Sequence, residues 1–251
     1  MIHFVGAGPG AVDLISVRGA EYLRKADVVI YAGSLVNPGL LDYCNGAEVY
    51  NSAYMTLEEV IAVMKKADED KKDLVRLHTG EPSIYGAVKE QMDELEKLNI
   101  EYDSCPGISA CFAAAASLDL EFTLPGVSQS LIITRMEGKT EVPSKESIES
   151  LASHNASMAI YLSAGMLGEL SKRLIRGGYK ADTSAAIVYK ASMTDEKKII
   201  CTVGGLETAA QKYKITKTAV ILVGDVINAG HYEKSKLYSA DFSTEFRKAA
   251  K

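Results

Sequence analysis

Within Thr79-Gly80-Glu81-Pro82-Ser83-Ile84-Tyr85-Gly86 the chain gathers a carboxylate, two hydroxyls and a phenol, set between residues that control backbone direction. Gly80 can take dihedrals that a side chain forbids. Pro82 fixes its own φ and biases Glu81 towards extended backbone. Such a loop can hold a ligand through its free amides and carbonyls, with Glu81 and Tyr85 as candidates for polar work. An ordinary structural turn is the competing reading. His78, directly before the loop, has the versatility of a base or metal ligand, but an isolated histidine at a strand end is more often structural. Further along, Arg135, Lys139 and Lys190 follow apolar runs and could attract an anion; an Arg after a strand suits planar carboxylate recognition. Solvated surface charges are the alternative for all three.

The elements that must position this loop are legible on both sides of it. Leu74-Val75-Arg76-Leu77 is a short apolar run and predicts a buried strand. The residues from Gly86 to Leu98 carry apolar positions at helical spacing. A strand, a polar loop and a helix put the loop at the carboxyl edge of a parallel sheet, where open α/β sheets bind ligands. The same rhythm recurs. Ile2-His3-Phe4-Val5 runs into Gly6-Ala7-Gly8-Pro9-Gly10 and then a helix from Ser16. Asp27-Val28-Val29-Ile30-Tyr31 is followed by the loop Ala32-Gly33-Ser34-Leu35-Val36. Thr56 opens a helix with Glu59 three residues on, a capping box. Ile100 to Cys105 runs into Pro106-Gly107-Ile108-Ser109-Ala110 and a helix of very small residues. Alternating strands and helices predict a mainly parallel sheet.

The glycine loop at residues 6–10 is not a good dinucleotide fingerprint. Position 11 is Ala, Pro9 sits where the helix should be opening, and Asp27 precedes its strand instead of ending it. The loop fits close backbone approach to some other ligand.

Between Leu118 and Pro125 the rhythm changes. Strands are expected over 128–134, 157–163, 184–190, 197–202 and 218–224. Helices are expected from Ser147, over 167–176 and over 205–212. This predicts a second α/β domain with a mixed sheet, so the chain divides into 1–115 and 116–251.

Composition bounds the function. The 251 residues are 47% hydrophobic and 24% charged, enough for a sizeable core. The net charge of −5 argues against a general nucleic-acid binder. No apolar run approaches the roughly 20 residues that span a bilayer, and no leader segment is visible. Cys44, Cys105, Cys111 and Cys201 form no C-x-x-C pair, which fits reduced thiols in a cytoplasmic protein. Cys105 and Cys111 are expected as small buried apolar residues. No metal-ligand spacing occurs among the histidines.

Taken together, Val5 to Gly10, Thr79 to Gly86, Pro106 to Ala110 and Thr218 to Gly224 resemble the tetrapyrrole (precorrin) methyltransferase family, and the resemblance covers nearly the whole chain. Tyr31-Ala-Gly-Ser-Leu-Val36, Thr134 to Pro143 and Val188 to Ser192 are similar to the branch that methylates precorrin-4 or cobalt-precorrin-4 at carbon 11 in cobalamin synthesis. The resemblance implies two α/β domains with S-adenosylmethionine bound in a cleft between them, a carboxylate-rich macrocycle as substrate, and a homodimer. It implies Pro9, Thr79, Gly80, Glu81, Ile84, Ser109, Ala110, Leu162, Ala191 and Ala219 at the cofactor. Without it, Ile84, Leu162 and Ala219 would be taken as core, as apolar residues at strand ends mostly are. Tyr31, Ser34, Arg135, Lys139 and Lys190 are the candidates for the macrocycle, and Arg135, Tyr85 and Glu81 for the reacting centre. The sequence departs from the family at Glu81, where Asp is usual, and at Lys139 and Glu141, where Arg and Pro are usual. Other tetrapyrrole methylases, acting on uroporphyrinogen III or on precorrin-2 or -3, and a non-catalytic nucleotide- or tetrapyrrole-binding module, are the competing functions.

Overall fold

The computed structural model describes residues 1–138 and 140–249, with the side chains of all but Ser34 and Leu237. The chain divides into two compact units, one of Met1–Ala114 with Lys190–Glu196, the other of Ala115–Tyr189 with the residues from Lys197 onward. The excursion of 190–196 into the first unit has a local cause. The Ala11 amide donates to Ser192 Oγ at 3.0 Å. A Cβ on Gly10 would lie 2.5 Å from Met193 Cγ, so that side chain packs directly on the glycine loop.

The first unit holds five parallel strands, β1 (Ile2–Gly6), β2 (Val28–Tyr31), β3 (Glu48–Asn51), β4 (Leu74–His78) and β5 (Tyr102–Cys105), in the order β3-β2-β4-β1-β5. Val5 stands opposite Leu77 and Cys105, so the carboxyl ends of β4, β1 and β5 finish side by side. Helices α1 (Val17–Lys25), α2 (Leu57–Glu69), α3 (Lys89–Lys97) and α4 (Ala110–Ser117) complete the unit. Alternation along the strands feeds two cores. Val5, Val29, Val75 and Leu77 pack with Ala20 and Leu23 of α1. Ile2, Phe4, Ile30 and Leu74 pack with Val60 and Met64 of α2 and Leu95 of α3. Fully burying one such side chain contributes about 1.5–3 kcal/mol, so each face is stable only with its helices in place.

The Thr56–Glu59 capping box forms as its sequence predicts, and it fixes the start of α2. Helix α3 starts later than its periodicity suggests. Tyr85 and Ala87 have φ of +56° and +49°, which no helix accommodates, so regular structure waits until Lys89. Strand β3 was not foreseen: Glu-Val-Tyr-Asn is a half-exposed edge strand with no apolar run to announce it. Strand β5 also begins two residues after the apolar Ile100.

The second unit is a mixed sheet in the order β6-β7-β10-β8-β9, from β6 (Leu131–Arg135), β7 (Ser157–Tyr161), β8 (Ser184–Tyr189), β9 (Lys197–Thr202) and β10 (Ala219–Val223). Strands β6 and β7 are parallel, and the other neighbours are antiparallel. Met158, Ile160, Ile187 and Ile221 bury against Leu167, Leu170 and Leu174 of α6 (Leu167–Gly177) and Leu206 of α7 (Leu206–Tyr213), with Ile148 of α5 (Ile148–Ala152) beside them. The stretch 218–224, which resembles a binding loop of the family, is mostly strand β10. Strand β6 begins at Leu131, because the Ser128 hydroxyl is turned to the Ser130 carbonyl and the Ser157 amide instead of continuing a ladder.

Candidate cofactor and substrate site

Three loops of the first unit meet backbone to backbone where β1, β4 and β5 end. The Ala7 amide donates to the His78 carbonyl at 2.7 Å, and Gly8 and Gly80 exchange amide–carbonyl bonds at 3.3 and 2.9 Å. A Cβ on Gly6 would stand 2.5 Å from Gly107 Cα and 2.7 Å from the Gly80 carbonyl oxygen. No side chain can be admitted there. Gly80 is different. It has φ +62°, and a Cβ would approach nothing closer than 3.8 Å, at the Ile108 carbonyl. Its conformation, and not crowding, demands glycine.

Glu81 holds the loop shut. Its Oε1 accepts from the Ser83 amide at 2.9 Å, and its Oε2 accepts from the Gly107 amide at 2.8 Å. Partial burial alone would raise its pKa, but these amide hydrogens outweigh burial and the carboxyl titrates below the ordinary glutamate value. Both oxygens are therefore engaged by backbone of its own unit, which is the geometry of a clasp and not of a group aimed at a reacting centre.

The other residues that the resemblance implies at the cofactor in this unit differ in burial. Pro9 and Ser109 are buried, Ile84 and Ala110 are half-buried, and Ala191 is buried in the 190–196 segment. The Thr79 hydroxyl oxygen is buried with no hydrogen-bond partner. A buried hydroxyl left unpaired costs about 1–3 kcal/mol, so a polar ligand atom fits this position. An unpaired hydroxyl beside a glycine of open approach suits the adenosyl and amino-acid ends of the cofactor that the resemblance implies.

Of the residues expected at a macrocycle or reacting centre, Tyr85 is 45% exposed in left-handed backbone, and Tyr31 is half-buried at the end of β2. The side chain of Ser34 lies outside the described residues. Lys190 Nζ is paired with Asp195 at 2.6 Å, which neutralises much of its appeal to an anion. His78 is buried against the ring of Phe4. Burial first, and the neighbouring Arg76 cation second, bring its pKa down to about 3. It is a neutral imidazole and too weak a base for proton abstraction near neutrality, in keeping with a structural role.

In the second unit, the Arg135 guanidinium donates to the carbonyls of Met136, Thr140 and Glu141 at 3.1–3.2 Å. It organises the loop that follows β6. Lys139 lies outside the described residues. Leu162 has φ +53° and is 66% exposed. That is the reverse of core packing, and a non-glycine residue held in this conformation is the kind of local strain that clusters at binding sites. Ala219 is half-buried at the start of β10.

Sequence reasoning missed Gly6 and Gly107 as the closing pair of the three-loop junction, and it missed Arg76 and Gln91 beneath the Tyr85 loop. An arginine inside an otherwise apolar strand was the available signal for the second pair. Among the described residues no group of His, Cys, Asp and Glu is arranged to hold a metal ion, and no helix is long and apolar enough to cross a membrane.

Comparison with known proteins places these features in context. Residues 1–207 match the family model of tetrapyrrole (corrin/porphyrin) methylases. The cobalt-precorrin-4 C(11)-methyltransferase of Methanocaldococcus jannaschii is 52% identical over 251 residues, which is 100% of this chain and 97% of that protein. The enzyme of the same name from Priestia megaterium is 41% identical, covering 100% of this chain and 98% of that protein. Among solved structures, the X-ray structure of a cobalamin biosynthetic enzyme, cobalt precorrin-4 methyltransferase, superposes with a TM-score of 0.88 at 41% identity. It covers 90% of this chain and 95% of that one.

Proposed function

The chain belongs to the tetrapyrrole (corrin/porphyrin) methylase family, and from that membership we propose that it transfers a methyl group from S-adenosylmethionine to carbon 11 of cobalt-precorrin-4 or precorrin-4 in cobalamin synthesis. The relative that shares 52% of its sequence is named for the cobalt-bearing substrate, which favours that form, while relatives at 39–43% are named for either form. The observation that carries the proposal is the junction of Gly6, Gly80 and Gly107, clasped by Glu81, with the unpaired Thr79 hydroxyl beside it.

The cofactor supplies an electrophilic sulfonium methyl, so the protein's task is mainly one of orientation. Holding the reactants in line can account for up to about 7–11 kcal/mol of the barrier. The backbone around Thr79, Gly80, Ile84, Ser109 and Ala110 would hold the adenosyl and amino-acid ends, with Pro9 and Ala191 as close neighbours. The resemblance also implies Leu162 and Ala219 at the cofactor. Tyr85 and Tyr31 present aromatic surface suited to a flat macrocycle. Arg135 orders the loop after β6, and Lys139 would meet substrate carboxylates there; Ser34 and Lys190, the latter shared with Asp195, are further candidates for the macrocycle. Glu81 acts by shaping the loop. A homodimer in the cytoplasm completes the proposal.

The deciding experiment incubates the purified protein with methyl-labelled cofactor and cobalt-precorrin-4, and locates the label by NMR. Label at carbon 11 is the expected result. Label at another carbon, or transfer to uroporphyrinogen III instead, would assign the chain to a different reaction of the family. Failure to bind S-adenosylhomocysteine in calorimetry would leave only a carrier role.

A further inference from the structure

Arg76 lies in the middle of β4, buried to 6% exposure, and among the described residues it forms no ion pair. Its Nε donates to Gln91 Oε1 at 2.9 Å, and its Nη1 donates to the Ile30 carbonyl at 3.3 Å. Gln91, 5% exposed in α3, passes the contact on: its Nε2 donates to the Ala87 carbonyl at 2.9 Å. A buried guanidinium without an anion is a costly way to fill space, and a hydrophobic side chain of the same volume would ordinarily serve stability better. The position calls for a reason other than packing.

The two carbonyls at the ends of this chain of bonds supply it. Ile30 immediately precedes Tyr31. Ala87 closes a loop in which Tyr85 and Ala87 both sit in left-handed backbone, and in which the Pro82 carbonyl leaves no room for a side chain on Gly86. Non-glycine residues stay in such a conformation only where their surroundings over-determine it. The Gln91 amide on the Ala87 carbonyl is a side-chain restraint on that stretch, and the planar fork of Arg76 orients Gln91.

We infer that Arg76 and Gln91 are positioning residues for the macrocycle, one buried relay that sets the backbone under both Tyr31 and Tyr85 and makes no hydrogen bond to the residues assigned to the cofactor. The inference rests on the reading that these two tyrosines meet the substrate. It predicts a split. Loosening the relay raises KM for the macrocycle and leaves cofactor affinity alone, because the Glu81 bonds to the Ser83 and Gly107 amides that join the two cofactor loops share no member with the relay.

The test uses Gln91→Leu and Arg76→Met, with Tyr85→Ala for a double-mutant cycle. Hydrogen exchange of residues 85–88, read by mass spectrometry on the ligand-free protein, accelerates tenfold or more in both relay variants. The KM for cobalt-precorrin-4 rises about tenfold, while the Kd for S-adenosylhomocysteine stays within twofold of the parent. In the Tyr85→Ala background, Gln91→Leu adds less than a twofold further rise in KM. Unchanged exchange and unchanged KM overturn the inference. So does a KM, a Kd and a melting temperature that all deteriorate together, since that is plain destabilisation. If the parent protein takes no tetrapyrrole at all, the functional proposal fails first. The exchange measurement then still decides whether the relay orders its loop.

Discussion

Removing the Glu81 carboxylate should open the junction of the three glycine loops. The side chain accepts two backbone amides, Ser83 at 2.9 Å and Gly107 at 2.8 Å. Hydrogen bonds to a charged group contribute about 1.5–3 kcal/mol each. The residue is only partly buried, so solvent screening brings the pair below that range, to about 2 kcal/mol in total. For a chain of this size that corresponds to a fall in melting temperature of roughly 4–8 °C in Glu81→Ala. The Gly107 amide neighbours Ser109 and Ala110, so the Kd for S-adenosylhomocysteine should rise about tenfold, equivalent to 1.4 kcal/mol. Glu81→Gln keeps the length and one acceptor and should show about half of each effect. Glu81→Asp keeps the charge but shortens the reach to Gly107, and should resemble Glu81→Gln. The pH dependence follows from the depressed pKa. A carboxyl lowered in the fold stabilises it above its unfolded value, near 4.5, and that contribution disappears as the pH falls through the lower folded value. Calorimetric binding and thermal melts between pH 3 and 7 read all of this. If Glu81→Gln melts and binds like the parent, and keeps the same acid limb, the clasp does not exist as described.

Gly107→Ala should not fold, because its Cβ would collide with the backbone of Gly6 and Gly80. Gly80→Ala should fold with a loss of about 1–2 kcal/mol from its left-handed φ; equal melting curves for the two would refute the junction. Thr79→Val removes an unpaired buried hydroxyl, so it should gain about 1 kcal/mol of stability while weakening S-adenosylhomocysteine several-fold. Weakening of both together would mean the hydroxyl is already paired in the free protein. His78 is neutral in the fold with a pKa of about 3, whereas the unfolded chain protonates it below about 6.5. The parent should therefore lose up to about 1.4 kcal/mol of stability per pH unit on acidification between those values, a slope that His78→Leu should lack in denaturant titrations.

Local sequence determined most of the first unit. The apolar runs 2–5, 28–31 and 74–77 became β1, β2 and β4 because their residues pack on both sides of a parallel sheet. The Thr56–Glu59 box fixed α2, and the glycine and proline content of 79–86 marked the turn at the carboxyl end of β4. Strand β3 and the delayed start of α3 were not legible, because an edge strand buries too little to leave a pattern and because left-handed residues at 85 and 87 override helical periodicity.

Side-chain roles divide along the same line. The loop around Glu81 and the family resemblance marked it for a ligand; only the fold turns its carboxylate onto the amides of Ser83 and Gly107, the latter 26 residues away. Leu162 has the type of a core residue, and only the tertiary structure exposes it in strained backbone. Lys190 has the type of an anion site, yet Asp195 pairs with it. Sequence sets which groups are present and how each short stretch bends, since these depend on neighbours within a few residues. Which carbonyl, amide or charge faces a given side chain depends on partners brought together by sheet order, and β4, β1 and β5 become neighbours only when the chain has folded.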